Sequence, residues 1–146
     1  MAAPGVATLR AAAGAELAFE EPVTVSRSLV VVVDDDESVR ESLPDLLREF
    51  GLAVEAYSSA EDFLASDHIG EAKCLILDVA MPGMSGPALQ QDLKRRGEHI
   101  PIVFITAHRD YAVRARLLAE GAVDCLFKPF SETALMRAVN AALGVG

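Results

Sequence analysis

Four groups of residues in this chain have types and placements that could do chemistry together. Asp34, Asp35 and Asp36 follow the apolar run Leu29–Val33. Asp78 follows Cys74-Leu-Ile-Leu77, Thr106 follows Pro101–Ile105, and Lys128 follows Val123–Phe127. Each of these runs reads as a short strand, so each polar residue stands at a strand's carboxyl end. Carboxylates crowded at one sheet edge repel one another, and protonation or a cation relieves that. Mg²⁺ suits such a place, because a hard cation is held by a few carboxylates while it keeps waters. Asp36 reads differently, as a cap on the helix that follows.

The elements that would gather these residues are legible in the periodicity. Leu29–Val33 is β-branched throughout after its first residue, the pattern of a strand buried on both faces. Val39, Leu43, Leu46, Leu47 and Phe50 follow at helical spacing up to Gly51, with a local kink expected at Pro44. Leu52–Tyr57 is a second strand, and Ser58-Ser-Ala-Glu61 has the form of a capping box opening a short helix through Phe63 and Leu64. Cys74–Leu77 is a third strand, running into Asp78. Met81–Gly86 is a loop by its Pro and Gly content, followed by a helix marked by Leu89 and Leu93. Pro101–Ile105 is a fourth strand, Tyr111–Glu120 a helix stopped at Gly121, and Val123–Phe127 a fifth strand. Ser131 caps a last helix carrying Leu135, Val139 and Leu143. Five strands alternating with five helices predict an α/β fold, a doubly wound parallel sheet covered on both faces.

Composition bounds the rest. The 146 residues suit one domain, and a hydrophobic content of 51% excludes a disordered chain. With 13 basic and 22 acidic residues the net charge is −9, which argues against binding nucleic acid. No apolar run is long enough to span a membrane. Cys74 and Cys125 both sit in apolar runs and read as buried thiols of a reducing, cytoplasmic compartment. Residues 1–28, rich in Ala and Gly, read as a mobile N-terminal tail, with a short docking helix through Leu9, Leu17 and Phe19 as the alternative. Residues 29–146 form the domain.

The segments Val-Val-Asp34-Asp35-Asp-Glu-Ser-Val-Arg, Leu-Ile-Leu-Asp78-Val-Ala-Met-Pro-Gly-Met-Ser-Gly, Phe-Ile-Thr106-Ala-His and Phe-Lys128-Pro129-Phe, in this order, resemble a response-regulator receiver domain. The likeness covers Leu29 to Leu143 and is greatest to receivers of regulators with a helix-turn-helix output. It implies a flavodoxin-like receiver fold with strand order 2-1-3-4-5 and a cis Lys128–Pro129 bond. It makes Asp78 the phosphoacceptor, with Mg²⁺ held by Asp34, Asp35, Asp78 and the backbone carbonyl of Ala80. Thr106 and Lys128 would contact the phosphoryl group. The implied partner is a sensor histidine kinase or a histidine phosphotransfer protein, and a phosphorylation-linked homodimer is a further implied partner. The implied role is signalling; the chain would catalyse only its own phosphotransfer and dephosphorylation.

Two positions depart from the family pattern. Cys125 stands where many receivers carry the aromatic that swings inward on activation, and Ala80 stands where a polar side chain is common. Two rival readings remain beside this one. A Mg²⁺-dependent aspartyl-phosphate phosphatase of the haloacid-dehalogenase type would place an Asp at position 80, where this chain has Ala. A pseudo-receiver that only binds partners would not need the complete acid, Thr and Lys set.

Overall fold

The computed structural model describes residues 27–145. Along the chain come β1 (Leu29–Val33), α1 (Glu37–Glu49), β2 (Ala53–Tyr57), α2 (Ala60–Leu64), β3 (Ala72–Asp78), α3 (Gly86–Arg95), β4 (Ile102–Thr106), α4 (Tyr111–Ala119), β5 (Asp124–Phe127) and α5 (Glu132–Leu143). The five strands pair in parallel in the order β2-β1-β3-β4-β5. The expected doubly wound sheet and its order are therefore present. All but two residues of the expected tail, 1–28, lie outside the described residues.

Alternation along the strands explains why their sequences are apolar throughout. Val31, Val33, Leu75, Leu77 and Phe104 point to one face, where they meet Phe63 of α2, Leu89 and Leu93 of α3 and Leu117 of α4. Val30, Val32, Ile76, Val103 and Ile105 point to the other, against Leu43 and Leu47 of α1 and Leu135 and Val139 of α5. With both faces covered, no strand position of β1, β3 or β4 that enters these cores can be polar.

Local signals set the helix ends. The Asp36 side chain accepts from the Ser38 amide and caps α1, as expected. Ser131 caps α5 in the same way, and Gly144 in the left-handed region closes it. α1 runs through Pro44, which is buried, without interruption. The capping box at Ser58 is corrected. Ser59 is the cap of α2 and accepts from the Asp62 amide, which leaves Glu61 for another contact. The third strand begins earlier than expected, at Ala72. A register shift between Leu29 and Val30 of β1 carries its pairing from Ala72 to Cys74 and passes over exposed Lys73, a feature no periodicity reveals. Leu52, Pro101 and Val123 lie just outside β2, β4 and β5. The Lys128–Pro129 bond is cis.

Candidate functional site

Parallel strands place all their carboxyl ends at one edge of the sheet, so the chemistry-bearing residues meet there. β1 delivers Asp34, wholly buried, and next to it Asp35, exposed. β3 ends on Asp78, buried, and β4 on Thr106, also buried. β5 leads into Lys128, whose amide donates to the Thr106 carbonyl at 2.8 Å and ties these two residues together. Carboxylate oxygens of Asp34, Asp35 and Asp78 lie within 4.8 Å of one another. All five side chains expected from the sequence are therefore brought to one place.

The charges are unevenly satisfied. Lys128 Nζ donates to Asp34 Oδ2 at 2.9 Å, and stands 4.0 Å from Asp78 Oδ1. Asp34 Oδ1 accepts from the Asp36 amide at 2.9 Å. The ammonium thus serves Asp34 first. Burial, and then the neighbouring charge of Asp34, push the Asp78 carboxyl up to about 7, against a smaller opposing pull from Lys128. Burial would pull the Lys128 ammonium down; the hydrogen bond to Asp34 and the charges of Asp78, Asp34 and Asp36 outweigh it and hold it above its ordinary value.

These residues fit a divalent cation. Three carboxylates face one ammonium, which leaves the cluster short of positive charge. Asp34 uses two of its roughly four acceptor positions on Lys128 and Asp36, so lone pairs remain. Beyond burial, the charge of Asp34 also raises the Asp78 carboxyl, and a hard cation relieves that repulsion. Ala80 is exposed, two residues beyond Asp78, and its carbonyl accepts no hydrogen bond from another described residue.

The loop between β3 and α3 is built to let the acceptor strand end here. The Val79 amide donates to Ile105 O at 3.0 Å, and the Gly86 amide donates to Val79 O at 3.0 Å. A Cβ on Gly86 would lie 2.3 Å from the Asp78 carbonyl oxygen and 3.0 Å from the Phe104 ring. Gly86 is therefore required by close approach, so that α3 can start directly behind Asp78. In the sequence Gly86 shows only the composition of a loop, which hides this role. Nor does the sequence single out Arg40, whose guanidinium donates to the Asp34 carbonyl at 3.0 Å across one turn of α1.

On the other side, Cys125 is buried in the core against α4. The aromatic beside the site is Phe127, the β5 neighbour of Thr106. The exposed ring of Tyr111 packs edge-on against Phe127 at 5.1 Å, and the Arg109 guanidinium lies 5.4 Å from its centre. His108 is exposed, and its amide donates to Thr106 Oγ1 at 3.1 Å.

A five-stranded 2-1-3-4-5 sheet carrying an acid cluster, a hydroxyl and a lysine at its carboxyl edge is the architecture of a receiver domain. The family model of the response regulator receiver domain matches residues 30–140, and the chain belongs to that family. Among its relatives, the response regulator protein TodT of Pseudomonas putida is 47% identical over 116 residues, 80% of this chain and 51% of that protein. Nodulation protein W of Bradyrhizobium diazoefficiens is 46% identical over 117 residues, 80% of this chain and 52% of that protein. The chain thus spans about half the length of these relatives. Among solved structures, the response regulator StyR superposes with a TM-score of 0.76 at 46% identity, covering 82% of this chain and 60% of that one. FixJ-N superposes at 0.73 with 36% identity, covering 82% of this chain and 96% of that one. The chain is a two-component signalling module, and among the described residues no helix is long and apolar enough to cross a membrane.

Proposed function

We propose that Asp78 takes a phosphoryl group from a histidine of a sensor kinase or a phosphotransfer protein. The P–N bond to imidazole breaks as a P–O bond to an Asp78 carboxylate oxygen forms, and the imidazole nitrogen takes the departing electron pair. The observation that carries this reading is the convergence of Asp34, Asp35, Asp78, Thr106 and Lys128 at one sheet edge, with Asp78 buried at its centre.

A carboxylate attacks a phosphoryl group poorly because both are anionic, so catalysis is mostly positioning and charge neutralisation. Asp34, Asp35, Asp78 and the Ala80 carbonyl would hold Mg²⁺. When bound, it supplies positive charge against the transferred oxygens. Lys128 is already near enough to turn from Asp34 toward a group on Asp78. Thr106 offers its hydroxyl to the same group. The neighbouring cations also favour the ionised Asp78 that must act as nucleophile. Position 80 carries no acid, which supports a receiver over a phosphatase. The complete set of acids, hydroxyl and ammonium supports it over a pseudo-receiver.

Readout follows from what the reacting groups touch. A phosphoryl group carries about −1.5 to −2 charge and draws Thr106 and Lys128 toward it. Thr106 is paired with Phe127, and Phe127 with Tyr111. In place of the aromatic absent at Cys125, these two rings supply the moving bulk, and the face of α4, β5 and α5 is the surface that changes. A second copy of the chain or the remainder of a longer regulator would read it. The test is transfer from a phosphorylated histidine phosphotransfer protein. The expected product is labelled in Mg²⁺, and chelation prevents the label. Equal labelling with and without Mg²⁺ would contradict the reading.

A further inference from the structure

We infer that Glu61, on α2, is a positioning residue that fixes the loop carrying the Ala80 carbonyl and so sets the affinity for Mg²⁺. This rests on the function proposed above. Glu61 Oε2 accepts from the Met84 amide at 3.0 Å, across 23 positions of sequence. Among the described residues it is the only hydrogen bond joining positions 80–84 to another element. Gly83, beside it, has φ +74°, and a Cβ there would lie 2.6 Å from Glu61 Oε2. The carboxylate therefore occupies the space that a side chain at 83 would take. α2 is a firm base for this reach, because Ala60 and Phe63 on either side of Glu61 are wholly buried and Ser59 caps the helix.

At its start the loop is held by Val79 on Ile105, and at its end by Gly86 on Val79. Between those two points Met81 is buried, and the exposed Glu61 carboxylate adds one hydrogen bond to the Met84 amide. Ala80 stands inside this span. Removing Glu61 frees the loop's middle and leaves its ends in place, so the carbonyl at 80 loses its fixed direction while the sheet stays intact. Partners that orient metal ligands commonly change affinity by on the order of tenfold or more.

The experiment is a Mg²⁺ titration of the whole chain followed by backbone amide shifts, with hydrogen exchange of the Met84 amide measured alongside. In Glu61→Ala, Met84 exchange is expected to accelerate and the Mg²⁺ Kd to rise on the order of tenfold, while the melting temperature without metal stays close to that of the parent. Glu61→Gln keeps an oxygen acceptor and is expected to restore both. Should Glu61→Ala fail to fold, Glu61→Asp, one methylene too short to reach, carries the same expectation. A Kd within twofold of the parent, or unchanged Met84 exchange, would overturn the inference. A parent chain that binds no Mg²⁺ at this edge would instead overturn the proposed function and this inference together.

Discussion

Asp78 is held in a place that disfavours its own charge, and that has a measurable consequence. Its carboxyl titrates at about 7 in the fold against 3.8 for an ordinary aspartate, because of burial and the charge of Asp34. Between these values the native state binds more protons than the unfolded chain, so stability falls as pH rises through that window. The penalty grows across that window, and above it the penalty is fully present. Asp78→Asn keeps the shape and removes the charge. In metal-free buffer at pH 8 it is expected to raise the melting temperature by about 5 °C or more, and by clearly less at pH 5. Calorimetric melts of both proteins at both pH values check this. An equal gain at pH 5 and pH 8 would mean that Asp78 is not protonated in the fold.

His108 and Ala80 set a second residue-scale expectation. Hydrolysis of an aspartyl phosphate needs a water held in line, and positions 80 and 108 lie two residues beyond Asp78 and Thr106. Ala80 offers no hydrogen bond, and exposed His108 follows Thr106 closely. The phosphate is expected to be comparatively long-lived, with His108→Ala slowing its loss and Ala80→Asn speeding it. Decay of the phosphorylated species, followed by mass, gives the rates; identical rates in all three proteins would rule this out.

At the scale of elements, the start of α3 is the tightest junction in the site. Gly86→Ala would drive a methyl into the Asp78 carbonyl. Overpacking of this kind costs about 1–3 kcal/mol, so the melting temperature should fall by roughly 5–15 °C. Phosphorylation should suffer as well, because Asp78 must move. Full retention of both would show that the loop has slack. The readout face makes a further expectation. Amide exchange on phosphorylation should change in α4, β5 and α5, around Tyr111 and Phe127. Changes confined to Leu52–Leu64 would contradict it.

Elements also show how much is legible in the sequence. Asp34, Asp78, Thr106 and Lys128 can be found there because parallel strands send every carboxyl end to one edge, whatever the tertiary detail. Three things cannot. Lys128 stands 2.9 Å from Asp34 but 4.0 Å from Asp78, a preference that strand-end placement alone does not decide. Glu61 has the spacing of a capping residue for Ser58, yet capping by Ser59 releases it to bond Met84, 23 positions away. The bulge at Lys73 depends on the partner strand's register and leaves no periodic trace.

For the whole molecule, one thin sheet between two helical layers is the frame through which the proposed charge change at Asp78 would reach the surface. Both apolar cores are continuous, α2, α3 and α4 on one and α1 and α5 on the other, so motion is easiest at the loops that join strands to helices at the acid edge. On the proposed function, the acid cluster would also couple folding to metal. A cation bound only by the native state stabilises it, so millimolar Mg²⁺ should raise the melting temperature, and Asp35→Ala should abolish the rise. Persistence of the full shift in that variant would place the metal elsewhere.

Peptide mapping tests most directly whether Asp78 is the single phosphoacceptor. The whole chain would be treated with Mg²⁺ and a small phosphodonor, its acyl phosphate trapped by borohydride reduction, and the digest sequenced by mass spectrometry. Intact protein is expected to gain one phosphoryl group, with the reduced residue found at position 78 alone, and Asp78→Asn is expected to gain none. A phosphoryl group retained stably by Asp78→Asn, or a reduced residue at Asp34 or Asp35 in the parent, would contradict this.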